Sequence, residues 1–127
     1  MLYRMMAGKI HRATVTESNL DYVGSITIDR ALVEAAGFLP NEMVQITNLS
    51  NGELWHTYII PGPRDAGDIC LNGPPARKFH PGDLVIVIGF RLYEAEELKD
   101  YRPSVVFVDG QNRITEVKQD EPPFVEA

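Results

Sequence analysis

Residues 42–60, EMVQITNLSNGELWHTYII, decide the fold class. Glu42–Leu49 and Glu53–Ile60 are each short, rich in β-branched and aromatic residues, and read as strands. Asn51-Gly52 between them is a strong signal for a two-residue hairpin turn. Two strands joined this tightly pair antiparallel, so the chain opens to interpretation as a β protein.

The same pattern spreads outward. Toward the C-terminus, Asp68–Leu71 reads as a short strand ended by Asn72-Gly73-Pro74-Pro75, and His80-Pro81-Gly82-Asp83 as a turn. Leu84–Leu92 reads as a central strand, Tyr93–Lys99 as a helical turn, Ser104–Val108 and Arg113–Val117 as strands about an Asp109-Gly110 turn. Toward the N-terminus, residues 29–36 (DRALVEAA) read as a short helix. Asp29 is its cap, Leu32, Val33 and Ala36 its apolar stripe, and Gly37 its stop. Met1–Met6 and Lys9–Thr16 read as two further strands, and residues 21–29 (DYVGSITID) as a strand running into that helix. Many short strands with one or two short helices predict a mainly β barrel or sandwich. One domain is expected over 1–117, with a loose tail over 118–127.

Composition narrows the function classes. The chain has 127 residues, 44% hydrophobic and 24% charged, enough for one core. No apolar run approaches the roughly 18 residues of a membrane helix, so no membrane partner is expected. Twelve Lys and Arg against 18 Asp and Glu give a net charge of −6, which argues against a nucleic-acid partner. Cys70 is the single cysteine, so neither an internal disulfide nor a multi-cysteine metal site is expected, and the expected compartment is the reducing cytoplasm. His11, His56 and His80 have no metal-ligand spacing and read as packing or surface residues. No GxSxG or phosphate-binding glycine pattern occurs.

Gly24-Ser25 is read first as an ordinary bend. It also admits definite chemistry. A serine hydroxyl can attack the carbonyl of its preceding residue, and a glycine there permits backbone conformations closed to other residues. The amide becomes an ester, elimination cuts the chain, and the dehydroalanine left behind hydrolyses to a pyruvoyl group. That ketone forms Schiff bases with amines, the role pyridoxal phosphate plays elsewhere.

The chain resembles the bacterial aspartate 1-decarboxylases, pyruvoyl enzymes that make β-alanine for pantothenate. The matching stretches are GKIHRATVT (8–16), the Tyr22, Gly24 and Ser25 of residues 21–29, AAG (35–37), NGELWHTY (51–58), NGPPA (72–76), PGDLVIVI (81–88) and RPSVVFVD (102–109). The resemblance implies a double-psi β-barrel, a homotetramer with pockets between subunits, and in some members an accessory maturation protein. It implies a zymogen cut between Gly24 and Ser25 into a β chain, 1–24, and an α chain, 25–127, that begins with the pyruvoyl. It also implies the site residues. Ser25 is the pyruvoyl precursor. Thr57 assists cleavage and faces the substrate, and Tyr58 returns a proton to the carbanion left by CO2. Asn72 stands near the reacting carbonyl. Lys9, His11 and Tyr22 line the site, and Gly73 begins a loop that binds substrate through backbone groups. Neighbours on a strand point to opposite faces, so Thr57 and Tyr58 reach one pocket only through a local irregularity or at a corner.

Three positions depart from the family. Leu54 stands where an arginine is usual as the partner of a substrate carboxylate, and Pro74 and Pro75 stand where alanines are usual. Proline has no N–H to donate. A buried carboxylate without its cation costs roughly 2–5 kcal/mol. The self-cleavage set is whole. The expected reaction is L-aspartate to β-alanine and CO2. The alternatives are the same chemistry on a less acidic amino acid, and an uncleaved, non-catalytic binding or assembly module.

Overall fold

The computed structural model describes residues 1–121. The expected mainly β architecture is what it holds. Nine strands run β1 Leu2–Thr14, β2 Glu17–Asn19, β3 Ser25–Asp29, β4 Met43–Asn48, β5 Leu54–Gly62, β6 Ile69–Asn72, β7 Leu84–Glu94, β8 Ser104–Val108 and β9 Ile114–Lys118. One α-helix, α1 Arg30–Ala35, follows β3, and 3-10 turns cover Pro74–Arg77 and Glu97–Asp100. All nine strands join one sheet in the order β2-β6-β3-β5-β4-β7-β1-β8-β9. Most pairings are antiparallel. β3 with β5, β1 with β8 and β2 with β6 are parallel, so the chain must cross over between them.

One face of the sheet closes on the core. Ile10, Ile26, Ile28, Val44, Ile46, Ile59, Leu71, Val85 and Val87 are buried there, and Leu32 and Val33 of α1 cover part of it. The strands alternate, so the residues between these face away from the core.

Several elements differ from their reading in the sequence. The two N-terminal strands are one, β1, because register shifts after Met6 and after Ile10 let it bend without ending. β2 is absent from the sequence reading: its three residues are strand only through their pairing with β6. The hairpin after β4 is longer than two residues. Asn48 N–H donates to Glu53 O at 2.8 Å, leaving four residues in the loop, and only Gly52 takes a positive φ, of 76°. Asn51 instead spends its side chain, its amide donating to Lys78 O and its carbonyl accepting from Glu53 N–H. The helix matches its reading: Asp29 caps it by accepting from Ala31 N–H, and Gly37 follows with φ 75°. β9 reaches Lys118, one residue into the expected tail, and Glu121 pairs with Lys9. The rest of that tail, 122–127, lies outside the described residues.

Candidate active site

β3 lies between β6 and β5, and its alternation builds the site. Ile26 and Ile28 point into the core, so Ser25 and Thr27 point to the opposite face. β6 does the same, with Ile69 and Leu71 inward and Cys70 and Asn72 outward. The register sets Ser25 opposite Asn72 and Thr27 opposite Cys70. Four small polar side chains therefore form a two-by-two block across two paired strands.

Every polar atom in that block has a partner. The Asn72 amide nitrogen donates to Ser25 Oγ and to Thr27 Oγ1, each at 3.0 Å. The Asn72 carbonyl oxygen accepts from the Cys70 thiol at 3.1 Å. The Ser25 hydroxyl donates to Val23 O at 2.8 Å. Ser25 is fully buried, and Asn72 is 2% exposed. Burial, then the nearby Glu17 and Asp68 carboxylates, push the Cys70 thiol up to about 11, so it keeps its proton. A cleft of about 200 Å³ opens beside the block, with Tyr22 and Asn19 on its wall next to Thr27, Cys70 and Asn72.

The glycine freedom expected at Gly24 sits elsewhere. Gly24 has no left-handed φ, and a Cβ there would meet only Pro74 Cδ, at 3.7 Å. Gly73 has φ 78°, and a Cβ on it would lie 2.7 Å from Gly24 Cα. Gly73 is the residue that lets a second backbone lie against the Gly24-Ser25 peptide. The loop it begins offers little to a ligand. Gly73 N–H donates to Asn19 O, Ala76 N–H donates to Gly73 O, and Pro74 and Pro75 have no N–H, so no backbone donor over 73–76 is free.

β5 adds one of its two candidates. Ile26 is in register with Ile59, so Ser25 and Tyr58 are the next pair in the row and share a face. Neither pairing of β5 shows a register shift, so Thr57 points to the opposite, core side with Trp55 and Ile59. The irregularity needed to bring both residues to one pocket is absent from this strand. Leu54, 49% exposed, and His56 lie on the Tyr58 face.

Lys9 and His11 stand apart from Ser25. One row of the sheet runs Lys9, Ile88, Gln45, His56 across four strands, which puts Lys9 on the Tyr58 face but three strands from β5. Lys9 Nζ pairs with Glu121 at 2.7 Å. His11 packs edge-on against Phe107, with ring centroids 5.5 Å apart, and neither buried ring nitrogen has a partner. Burial, then the charges of Lys9 and Arg12, hold His11 below 6.5. Among the described residues no hydrogen bond or ion pair joins either to the Ser25 block, and no group of three or more His, Cys, Asp and Glu could hold a metal ion.

Sequence reasoning missed Thr27 and Cys70. Their signal was present: Ser25-Ile26-Thr27-Ile28 and Ile69-Cys70-Leu71-Asn72 alternate polar and apolar residues, which marks one face of each strand as polar.

A family model for aspartate decarboxylase matches residues 1–115. The chain belongs to the aspartate decarboxylase family. It is 59% identical over 121 residues to the aspartate 1-decarboxylase of Pelotomaculum thermopropionicum, covering 95% of this chain and 92% of the relative. The aspartate 1-decarboxylases of Carboxydothermus hydrogenoformans and Acetivibrio thermocellus are 56% and 54% identical. Each match covers 95% of this chain, and 95% and 96% of the relatives respectively. As a member of the aspartate decarboxylase family this chain is a decarboxylase, and its single mainly β sheet fits the double-psi β-barrel expected of it. No helix among the described residues is long and apolar enough to cross a membrane.

Proposed function

We propose that this chain cuts itself between Gly24 and Ser25, and that the pyruvoyl so formed from Ser25 decarboxylates L-aspartate to β-alanine and CO2. The products of the cut are residues 1–24 and 25–127. The observation that carries this is the buried Ser25–Asn72 pair at the start of β3, where the serine hydroxyl sits directly after the peptide to be cut.

The residues fit a pyruvoyl at this position. Its precursor is out of bulk water, its hydrogen-bond partners are uncharged, and a cleft with the Glu17 and Asp68 carboxylates on its wall opens at Asn72. Once formed, the pyruvoyl supplies a ketone for the substrate amine and an electron sink for the bond to the departing carboxylate. The protein supplies the rest. Tyr58, beside Ser25 on the same face, holds a proton at its hydroxyl for the substrate carbon that loses CO2. Asn72 keeps two N–H donors on the Ser25 side, and Tyr22 walls the cleft.

Copies of this chain complete the site as a homotetramer. Two observations support that reading. Lys9 and His11 have no link to Ser25 in their own chain, and Met43, Leu54, Phe90 and Leu92 leave exposed apolar surface on the face that carries Tyr58. The substrate is the amino acid, and a cytoplasmic setting keeps Cys70 reduced. A separate maturation protein is unnecessary if the purified chain cuts itself. Nothing favours a less acidic substrate or a non-catalytic module, and the named relatives all carry the aspartate name.

Denaturing mass spectrometry of the purified chain tests the cut. Two fragments split after Gly24, the larger one lighter by one ammonia than simple hydrolysis gives, establish the pyruvoyl. A single uncut chain that stays uncut overturns the reading. CO2 release from a panel of amino acids then fixes the substrate. Leu54→Arg should raise turnover of aspartate over neutral amino acids several-fold; no change means that Leu54 does not face the substrate carboxylate.

A further inference from the structure

We infer that Thr27 and Cys70 are positioning residues for self-cleavage: together they fix which way the Asn72 side-chain amide faces. The inference rests on the self-cleavage reading above. The two residues are cross-strand partners, one place along from the Ser25 and Asn72 pair, and each bonds a different end of the amide.

An asparagine amide has a donor end and an acceptor end, of nearly equal shape. The Ser25 hydroxyl gives its proton to Val23 O, so Oγ accepts from the amide, whereas the Thr27 hydroxyl can donate or accept and by itself accommodates either orientation. The thiol holds the orientation from the other end. It keeps its proton, so it gives an S–H to the carbonyl oxygen, and sulfur is a poor acceptor for an N–H. With the carbonyl taken by Cys70, both N–H groups turn to β3, one to Ser25 Oγ and the other to Thr27 Oγ1. Thr27 then holds the second N–H, which leaves the first aimed at the reacting oxygen.

That aim matters at one step. After Ser25 Oγ has taken the Gly24 acyl group from the Ser25 nitrogen, the chain is an ester. Elimination gives the Ser25 Cα proton to a base, forms a Cα=Cβ double bond and breaks Cβ–Oγ. The electron pair of that bond goes to Oγ, which leaves as an oxygen of the Gly24 carboxylate. One water then converts the dehydroalanine to the pyruvoyl and releases ammonia. Negative charge therefore develops on Oγ, and an N–H already pointed at it stabilises the departure. A flipped amide would present its carbonyl oxygen to the same charge. Losing one oriented donor at a developing oxyanion slows comparable reactions by about 100-fold or more.

The test follows cleavage of full-length chain by denaturing mass spectrometry, starting from freshly made protein. Cys70→Val and Thr27→Val keep the shapes and remove the polar groups. Each should slow cleavage at least tenfold, with thermal melting of the uncut protein little changed. Cys70→Ser and Thr27→Ser restore a hydroxyl and should recover most of the rate, which a purely packing role would not produce. Cleavage of Cys70→Val and Thr27→Val at the wild-type rate overturns the inference and leaves self-cleavage standing. Equal slowing by the Val and Ser variants overturns it too. A wild-type chain that never cuts overturns the self-cleavage reading itself, whatever the variants do.

Discussion

The two ends of β3, four residues apart in one strand, each bury a polar side chain and use it in opposite ways. Asp29 at one end is 2% exposed. Its carboxylate accepts from the backbone N–H groups of Ala31, Asp65 and Gly67, at 2.8, 2.9 and 2.9 Å. The donors are all backbone N–H groups, so the carboxylate ties the helix start to the loop after β5. Ser25 at the other end is just as buried, but its partners are one neutral side chain, that of Asn72, and one carbonyl. Such bonds are weaker and can be exchanged without leaving a charge unpaired. A buried polar group saturated by backbone is a fastener. A buried polar group held by one neutral side chain and one carbonyl can react.

Experiments can break that contrast. The largest effect belongs to Ser25→Ala, which should abolish both the cut and CO2 release while the melting temperature stays close to wild type; mass spectrometry and a CO2 assay read it. A marked loss of stability instead would make Ser25 a fastener too. Tyr58→Phe should leave the cut intact and lower decarboxylation per cut chain by about 100-fold, read as kcat on fully cleaved protein. Asp29→Ala should leave three N–H groups without their acceptor and cost about 3 kcal/mol in urea unfolding. The fraction that stays folded should still cut at the wild-type rate, and slowed cutting there would show that the two ends are coupled. Asp29→Asn keeps one acceptor oxygen and loses the charge, so about 1 kcal/mol is expected by the same measurement.

The sequence made parts of both ends legible. Asp29 as a cap was readable because the helix after it is local, and the bond to Ala31 spans two residues. Its bonds to Asp65 and Gly67 were not, because they reach 36 and 38 residues along the chain. Ser25 as a reactive residue came from family likeness, and its partner Asn72 lies 47 residues away. The pairing of β3 with β6 that joins them is a tertiary fact that no local pattern encodes. The same reason hid β2, whose residues are strand only because β6 lies beside them, and concealed the continuity of β1 through its bulges. The Asn51-Gly52 turn was misread in length because Asn51's side chain bonds the Lys78 carbonyl, a contact outside the hairpin.

β1 has a consequence for the proposed self-cleavage. Residues 1–24 carry β1, which is paired with β7 on one side and β8 on the other, and β2, which is paired with β6. Removing one peptide bond releases nothing, because that segment is woven through the sheet. It does change the order of the unfolding reaction. An intact protomer refolds as a unimolecular process, whereas the two pieces must first meet again, so the proposed cut adds a concentration dependence to refolding beyond that of assembly between copies. On the proposed self-cleavage, maturation would work as a ratchet: the fold assembles the site once as a single chain, and the mature molecule would be a complex of two peptides that depends on never having come apart.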